Sequence, residues 1–189
     1  EGIPLDKAPI VSNTLVFPDY FATMRIPVRA GEAFTGRETS SSPRVAIVNE
    51  TFARTFYPGT SPIGRRIKWG SPTSPSPWAT IVGVSADVKG TSLDAPQEPA
   101  TYFVAAQQDS LLVTGALRDM AYVVRAAGDP YALVNPIRRA VREIDPAVPV
   151  VDLRSVGETV DLSVSTRRFN TLLLAAFAVL ALVLAAVGL

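Results

Sequence analysis

The run VAIVNETFARTFYPGTSPIGRRI, residues 45–67, decides the fold class. Val45 to Val48 is a short apolar run that suits a strand. Asn49 stands where a side-chain oxygen accepts from the free amides of a helix start. Glu50 to Phe56 follows as that helix, with Phe52 and Phe56 one turn apart on its buried side. Tyr57-Pro58-Gly59 stops it. Ile63 to Trp69 then alternates apolar and basic residues, the pattern of a half-exposed strand. A strand, a capped helix and a second strand in one short run predict a mixed α/β domain. Asn49-Glu50-Thr51 also matches a glycosylation sequon, but such triplets recur by chance, and Asn49 is read as the cap.

Upstream, Ile10 to Phe17 suits a strand. Pro18 opens a short helix over Asp19 to Met24, with Tyr20, Phe21 and Met24 on one face. Ile26-Pro27 ends it, and Gly31 to Pro43 reads as a loop rich in Gly, Ser and Thr. Downstream, GSPTSPSP at 70–77 has too many prolines for a helix or a central strand and reads as a hairpin tip. Trp78 to Val84 is the returning strand. Trp69 and Trp78 flank the tip. They are expected to form a cross-strand aromatic pair closing the hairpin, the other reading being a sugar- or membrane-contacting tip. Thr101 to Val104 is another short strand.

The last third is predicted as a β-α-β unit. Met120 to Arg125 reads as a strand. Asp129 caps a helix with Pro130 at its first position. Leu133, Ile137, Val141 and Ile144 form its apolar stripe, and Asp145-Pro146 ends it. Val148 to Leu153 reads as the second strand. Ser155 and Glu158 then have capping-box spacing, and Val156, Val160 and Val164 follow at helical intervals.

That helix runs through Arg167 and Arg168 into TLLLAAFAVLALVLAAVGL, residues 171–189, which carries no charge. Such a helix is ~28 Å long, close to a hydrocarbon core of ~30 Å. Its eleven Leu, Val and Phe residues favour insertion by roughly 3 to 6 kcal/mol. The tail is read as a membrane span. The span would be a tail anchor or the first span of a longer permease; the other reading of the tail is a buried core helix. Arg167 and Arg168 suit snorkelling to lipid phosphates. They also bias this flank towards the cytoplasm, which pulls against an extracytoplasmic domain.

Composition removes several chemistries. The chain has 18 Lys and Arg against 17 Asp and Glu, a net charge of +1, with no charged block. Nothing in that balance calls for nucleic acid. Neither His nor Cys occurs. The usual ligands of zinc, haem and iron–sulfur centres are therefore missing, as are a Ser-His-Asp triad and a thiol nucleophile. No P-loop is present: Gly59 and Gly64 have the glycine spacing, but Arg65-Arg66 follow. A Ser-Lys dyad is formally open for Ser85 with Lys89, which are read as strand-end residues. Asp87, Asp94 and Glu98 are candidate paired carboxylates and are read as surface residues.

Several runs resemble MacB-type ABC transporter permeases, in their periplasmic core domain. They are PDYFATMRIPVRAGEAF at 18–34, the opening run at 45–67, IVGVSADVKG at 81–90 and VVRAAGDPYALVNPIRRAVREIDPAVPVVDLRSV at 123–156. The run from Arg167 onward resembles the start of the FtsX-like permease membrane domain. The character is closest to the duplicated permeases of acidobacteria.

The resemblance implies a mixed α/β (α+β) fold in which a porter-like βαβ subdomain carries an inserted smaller α/β subdomain. It implies an extracytoplasmic core domain over 1–165 with 34–115 inserted, a connecting helix over 155–170, and a transmembrane helix over 171–189. The preceding span and half of the porter subdomain are expected upstream of Glu1, and two further spans downstream of Leu189. No cofactor is expected in this chain, because ATP is bound by a partner ATPase subunit. Further partners are a second permease copy (a homodimer or a duplicated half), the lipid bilayer and a periplasmic protein. The location is the bacterial inner membrane with the main domain in the periplasm. The site residues are mechanical: Ser155 and Glu158 at the start of the coupling helix, Arg167 and Arg168 at the membrane interface. A membrane-anchored regulator without transport, and a membrane-anchored enzyme, are the other classes open at this point.

Overall fold

The structure, a computed structural model, describes residues 11–70, 76–89, 96–108 and 121–158, and in the tail 174–175, 177–179, 181–183 and 185–188. The chain divides into two compact units.

The first unit, Glu1–Lys89 with Pro96–Val124, is built on one mixed sheet. Its strands are β1 (Ser12–Val16), β2 (Val28–Gly31), β3 (Val45–Asn49), β4 (Arg66–Lys68), β5 (Trp78–Ser85) and β6 (Ala100–Val104). They lie in the order β1-β6-β3-β5-β2, and β4 pairs with β5. β1 runs parallel to β6 and β3 parallel to β5, while the β3–β6, β2–β5 and β4–β5 pairs are antiparallel. The sheet therefore takes strands from both sides of residue 34.

Side chains alternate across this sheet and give it two apolar faces. On one face Val16, Ile47, Tyr102 and Val104 pack with Phe21, Ile26 and Phe34. Phe21 comes from helix α1 (Tyr20–Met24), which ends on Arg25 in the left-handed conformation, φ 55°. On the other face Val48, Ile81 and Val84 pack with Phe52 of helix α2 (Glu50–Phe56), and Phe56 lies 4.6 Å from Phe52 between ring centres. The capped helix read from the sequence is thus the cover of one face, with the boundaries predicted for it.

Two expectations fail in this unit. Gly31 reads from the sequence as the start of a loop, yet Val28–Gly31 is an edge strand, held by its ladder to β5 although its residues are mostly exposed. The two tryptophans do not pair. Lys68 lies opposite Trp78 in the β4–β5 register, so Trp69 and Trp78 point to opposite faces. Trp69 packs on Phe103, 5.5 Å between ring centres.

The second unit, Gly90–Ala95 with Arg125–Leu189, contains helix α3 (Val134–Ile144). Asp129 accepts a hydrogen bond from the Tyr131 amide, as a cap should. The first turn, Pro130–Leu133, is a 3-10 turn. Pro136 explains this: it offers no N–H to the carbonyl four residues back and its ring crowds that group. None of the α3 side chains is buried, and Ile144 is 87% exposed.

Among the described residues, the predicted strands on either side of α3 are not strands; Met120 lies outside them. Residues 121–126 and 148–153 have no ladder partner among the described residues, and β-branched composition without a partner does not make a strand. The β-α-β unit is therefore represented by its helix alone. In the tail, the described residues 174–175, 177–179, 181–183 and 185–187 are helical, and Leu174, Phe177 and Leu182 are exposed. No helix among the described residues is long and apolar enough to cross a membrane. The remaining positions of the proposed span lie outside the described residues.

Candidate functional site

Ser155 and Glu158 form the capping box that their spacing predicts. The Ser155 amide donates to Glu158 Oε2 at 3.1 Å, and the Glu158 amide donates to Ser155 Oγ at 3.1 Å. Helical residues follow from Val156. The turn into this helix is made by Asp152, whose φ of 60° lies in the left-handed region, and Arg154 pairs with Asp152. Asp tolerates that conformation better than most residues with a side chain.

A third residue joins them. The Tyr131 hydroxyl hydrogen-bonds Glu158, and this bond, with the Ser155 amide, holds the Glu158 carboxyl below its ordinary range. The same carboxylate pushes the Tyr131 phenol up. The interaction runs between the 3-10 turn before α3 and the start of the next helix. Sequence reading had no signal for it, because the two residues are far apart along the chain and each has a complete local role. Arg167 and Arg168 lie outside the described residues.

The candidate carboxylates of the first unit are structural. The Asp87 carboxylate accepts from the Thr51 amide and hydroxyl, each at 2.8 Å, and pairs with Arg54 at 3.0 Å. It caps the start of α2 from outside the helix. Burial raises its carboxyl, but the bonds from Thr51 and Arg54 outweigh that and leave it below the usual range. Glu98 contributes its backbone carbonyl, which accepts from Asn49 Nδ2 at 2.9 Å. Asp94 lies outside the described residues.

Asn49 does more than cap. Its Oδ1 accepts from the Phe52 amide at 2.8 Å and from the Ala100 amide at 2.9 Å, and the residue is fully buried. A buried asparagine with three satisfied bonds is a latch between α2, β3 and β6, and the sequon reading falls with it. Gln107 is a second latch. It accepts from the Val45 amide and donates to Ser42 Oγ and the Pro43 carbonyl.

The remaining candidates offer little acid–base chemistry. Ser85 is fully buried with its hydroxyl against the Val48 carbonyl. Burial, with Tyr20 and Asp87 nearby, pushes the Tyr102 phenol up to about 12, far from a proton donor's useful range. Among the described residues no group of acidic side chains is placed to hold a metal ion.

The geometry is thus one of latches and caps. No curated protein matches the chain. Among solved structures it is similar to the periplasmic region of MacB from Actinobacillus actinomycetemcomitans (TM-score 0.48, 11% identity, 70% of this chain and 56% of that one). It is also similar to the extracellular domain of the noncanonic ABC-type transporter YknZ from Gram-positive bacteria (TM-score 0.44, 14% identity, 71% of this chain and 64% of that one). The chain therefore spans less than two thirds of either structure. Residues 5–144 match the model of the MacB-like periplasmic core domain. By that match, which takes in the whole sheet and α3, the chain belongs to the family of MacB-like periplasmic core domains.

Proposed function

We propose that this chain is the periplasmic domain of an ABC-type transporter permease, continued by the first part of its membrane domain. The observation that carries the reading is the family match over residues 5–144. The inserted subdomain is 34–115, and the segments on either side of it within 1–165 make the porter-like part. The domain does no chemistry. ATP is hydrolysed by a partner ATPase subunit, and a second permease copy completes the membrane part.

In this reading the helix that starts at Ser155 is the mechanical output. It runs over 155–170 past Arg167 and Arg168 into a span over 171–189. The capping box at its start, the absence of proline along it and the uncharged tail support this. The capping box fixes where the rod begins. Ile144, exposed at the end of the otherwise half-buried apolar stripe of α3, suits an element that packs against the rest of the permease.

The test is transport in proteoliposomes holding the full permease and its ATPase. Inserting Gly-Pro after Val164 should abolish substrate movement while ATP hydrolysis continues and the periplasmic domain stays folded. Unchanged transport sinks the lever. A wild-type complex that moves no substrate but activates a periplasmic hydrolase makes the protein a regulator instead.

A further inference from the structure

The two edges of the sheet are unlike. β2 and β4 both lie on the outer side of β5. The ladder of β2 breaks its register between Val28 and Ala30, where Arg29 is exposed, and β4 carries Arg66 and Lys68. A bulge and charged side chains are the devices that keep an edge from pairing further. β1, at the opposite edge, has none of them. The run Val11 to Phe17 holds no charge and no proline, and the register of β1 with β6 is unbroken from Ser12 to Val16. Among the described residues no strand pairs with the outer side of β1.

One bond sets the direction of its backbone groups. The Ser12 amide donates to the Pro99 carbonyl, so Ser12 faces β6. Alternate residues of a parallel ladder face the partner. Thr14 and Val16 therefore face β6 as well, and Asn13 and Leu15 turn their N–H and C=O groups outward.

Those outward groups fit a copy of themselves. Two β1 strands set antiparallel about a two-fold axis at Thr14 bring Asn13 opposite Leu15 twice, and each such pair exchanges two hydrogen bonds. Thr14 meets Thr14 at a non-hydrogen-bonded position, where Cα atoms are ~4.5 Å apart and paired threonines are favourable. Val11 of each copy meets Phe17 of the other, a β-branched and an aromatic residue. Phe17 is 48% exposed and stacks on Tyr122, which is 77% exposed, so this end of the strand has apolar area to cover. Like charges meet nowhere along the seven residues. Any other axis shortens the overlap of the two runs.

We infer that β1 is a contact surface between two copies of this chain, whose sheets join edge to edge, antiparallel, about Thr14. A strongly charged partner finds no opposite charge on this edge, whereas the strand is its own complement. The inference concerns the sheet unit and does not rest on the permease reading.

The experiment uses the whole chain in detergent micelles. The chain has no cysteine, so Thr14→Cys supplies a single thiol. Oxidation with copper-phenanthroline should link two copies, because residues opposite each other at such a position lie within disulfide reach. Ser12→Cys, which lies opposite Val16 and not itself, should link at least tenfold more slowly. In the unsubstituted chain, amide exchange at Asn13 and Leu15 should slow as protein concentration rises, while exchange at Thr14, which faces β6, should not change. Thr14→Lys and Thr14→Asp should each abolish that concentration dependence, and an equal mixture of the two should restore it, which misfolded chains could not do. Equal linking of the two cysteine variants, or none, overturns the inference, as does exchange at Asn13 and Leu15 that stays fast at every concentration or a mixture that behaves like its parts. Slow exchange at both that dilution does not relieve means that the chain covers its own edge, and overturns it too.

Discussion

Gly31 and Gly83 face each other in the β2–β5 ladder so closely that neither position has room for a side chain. A Cβ on Gly31 would run into the Val82 carbonyl oxygen, and one on Gly83 into the Glu32 carbonyl oxygen. Gly31 also sits at φ +72°, where other residues are strained. Gly83→Ala must push backbone against backbone, and we expect it to cost ~2–3 kcal/mol. Urea unfolding should show an earlier midpoint. An unchanged midpoint would mean that β2 slides away at no cost.

Asn49→Ala should be among the most damaging single changes in the sheet unit. It removes a helix cap, worth ~1 kcal/mol. It also strands the Ala100 amide and the Glu98 carbonyl, at ~1–3 kcal/mol each. Asn49→Asp keeps both acceptor bonds but places a carboxylate oxygen against the Glu98 carbonyl, so it should not rescue the fold. Denaturant midpoints of the two variants check this; a stable Asn49→Asp protein would contradict the assigned amide orientation.

Asp87 makes stability depend on acid. Its folded carboxyl titrates below its unfolded value of ~3.9. The contribution is therefore complete above about pH 4 and is lost as pH falls through the lower, folded value. Asp87→Asn should flatten that acid limb and lower stability at neutral pH. Unfolding curves between pH 2 and 7 measure both effects, and an acid limb of undiminished slope in the variant would assign it to other carboxylates.

The capping box predicts local effects at the base of the connecting helix. Ser155→Ala should raise amide exchange at Glu158 severalfold, because the donor loses its acceptor. Glu158→Gln should leave exchange at Ser155 nearly as slow, since glutamine completes the same box. Tyr131→Phe should let the Glu158 carboxyl titrate closer to its ordinary value, a shift visible by carbon-13 titration.

The two tryptophans should behave differently. Trp69→Ala empties a site packed on Phe103 and should cost about 2 kcal/mol. Trp78→Ala touches an exposed ring and should stay within ~1 kcal/mol. Equal losses would mean that the Lys68–Trp78 register is wrong.

Much of the sheet unit was legible because its signals are local. Asn49, Phe52 and Phe56 define α2 within eight residues, and the Ser155–Glu158 box within four. What could not be read was pairing. Register decides which face a residue takes, so whether Trp69 meets Trp78 turns on a single step that composition does not encode. β2 owes its existence to the gap left by Gly83. The two further bonds of Asn49 reach residues about fifty positions away. The runs at 121–126 and 148–153 failed in the opposite sense, having strand composition and no ladder. The mechanical site was half legible: Ser155 and Glu158 follow a local rule, while Tyr131 reaches them only through the fold.

The parallel pairing of β1 with β6 has a consequence for how the domain is made. Ser12 aligns with Ala100, a separation of 100 − 12 = 88 residues. During vectorial synthesis, β1 has no neighbour in the sheet until the Ala100–Val104 segment follows. Contacts of such long range form late and slowly. Of the six strands of the sheet, β1 is thus the earliest made and among the last to be shielded, and that interval is when aggregation or proteolysis would strike it. Factors that hold extended chains should matter most for this domain in the interval between the appearance of β1 and that of β6.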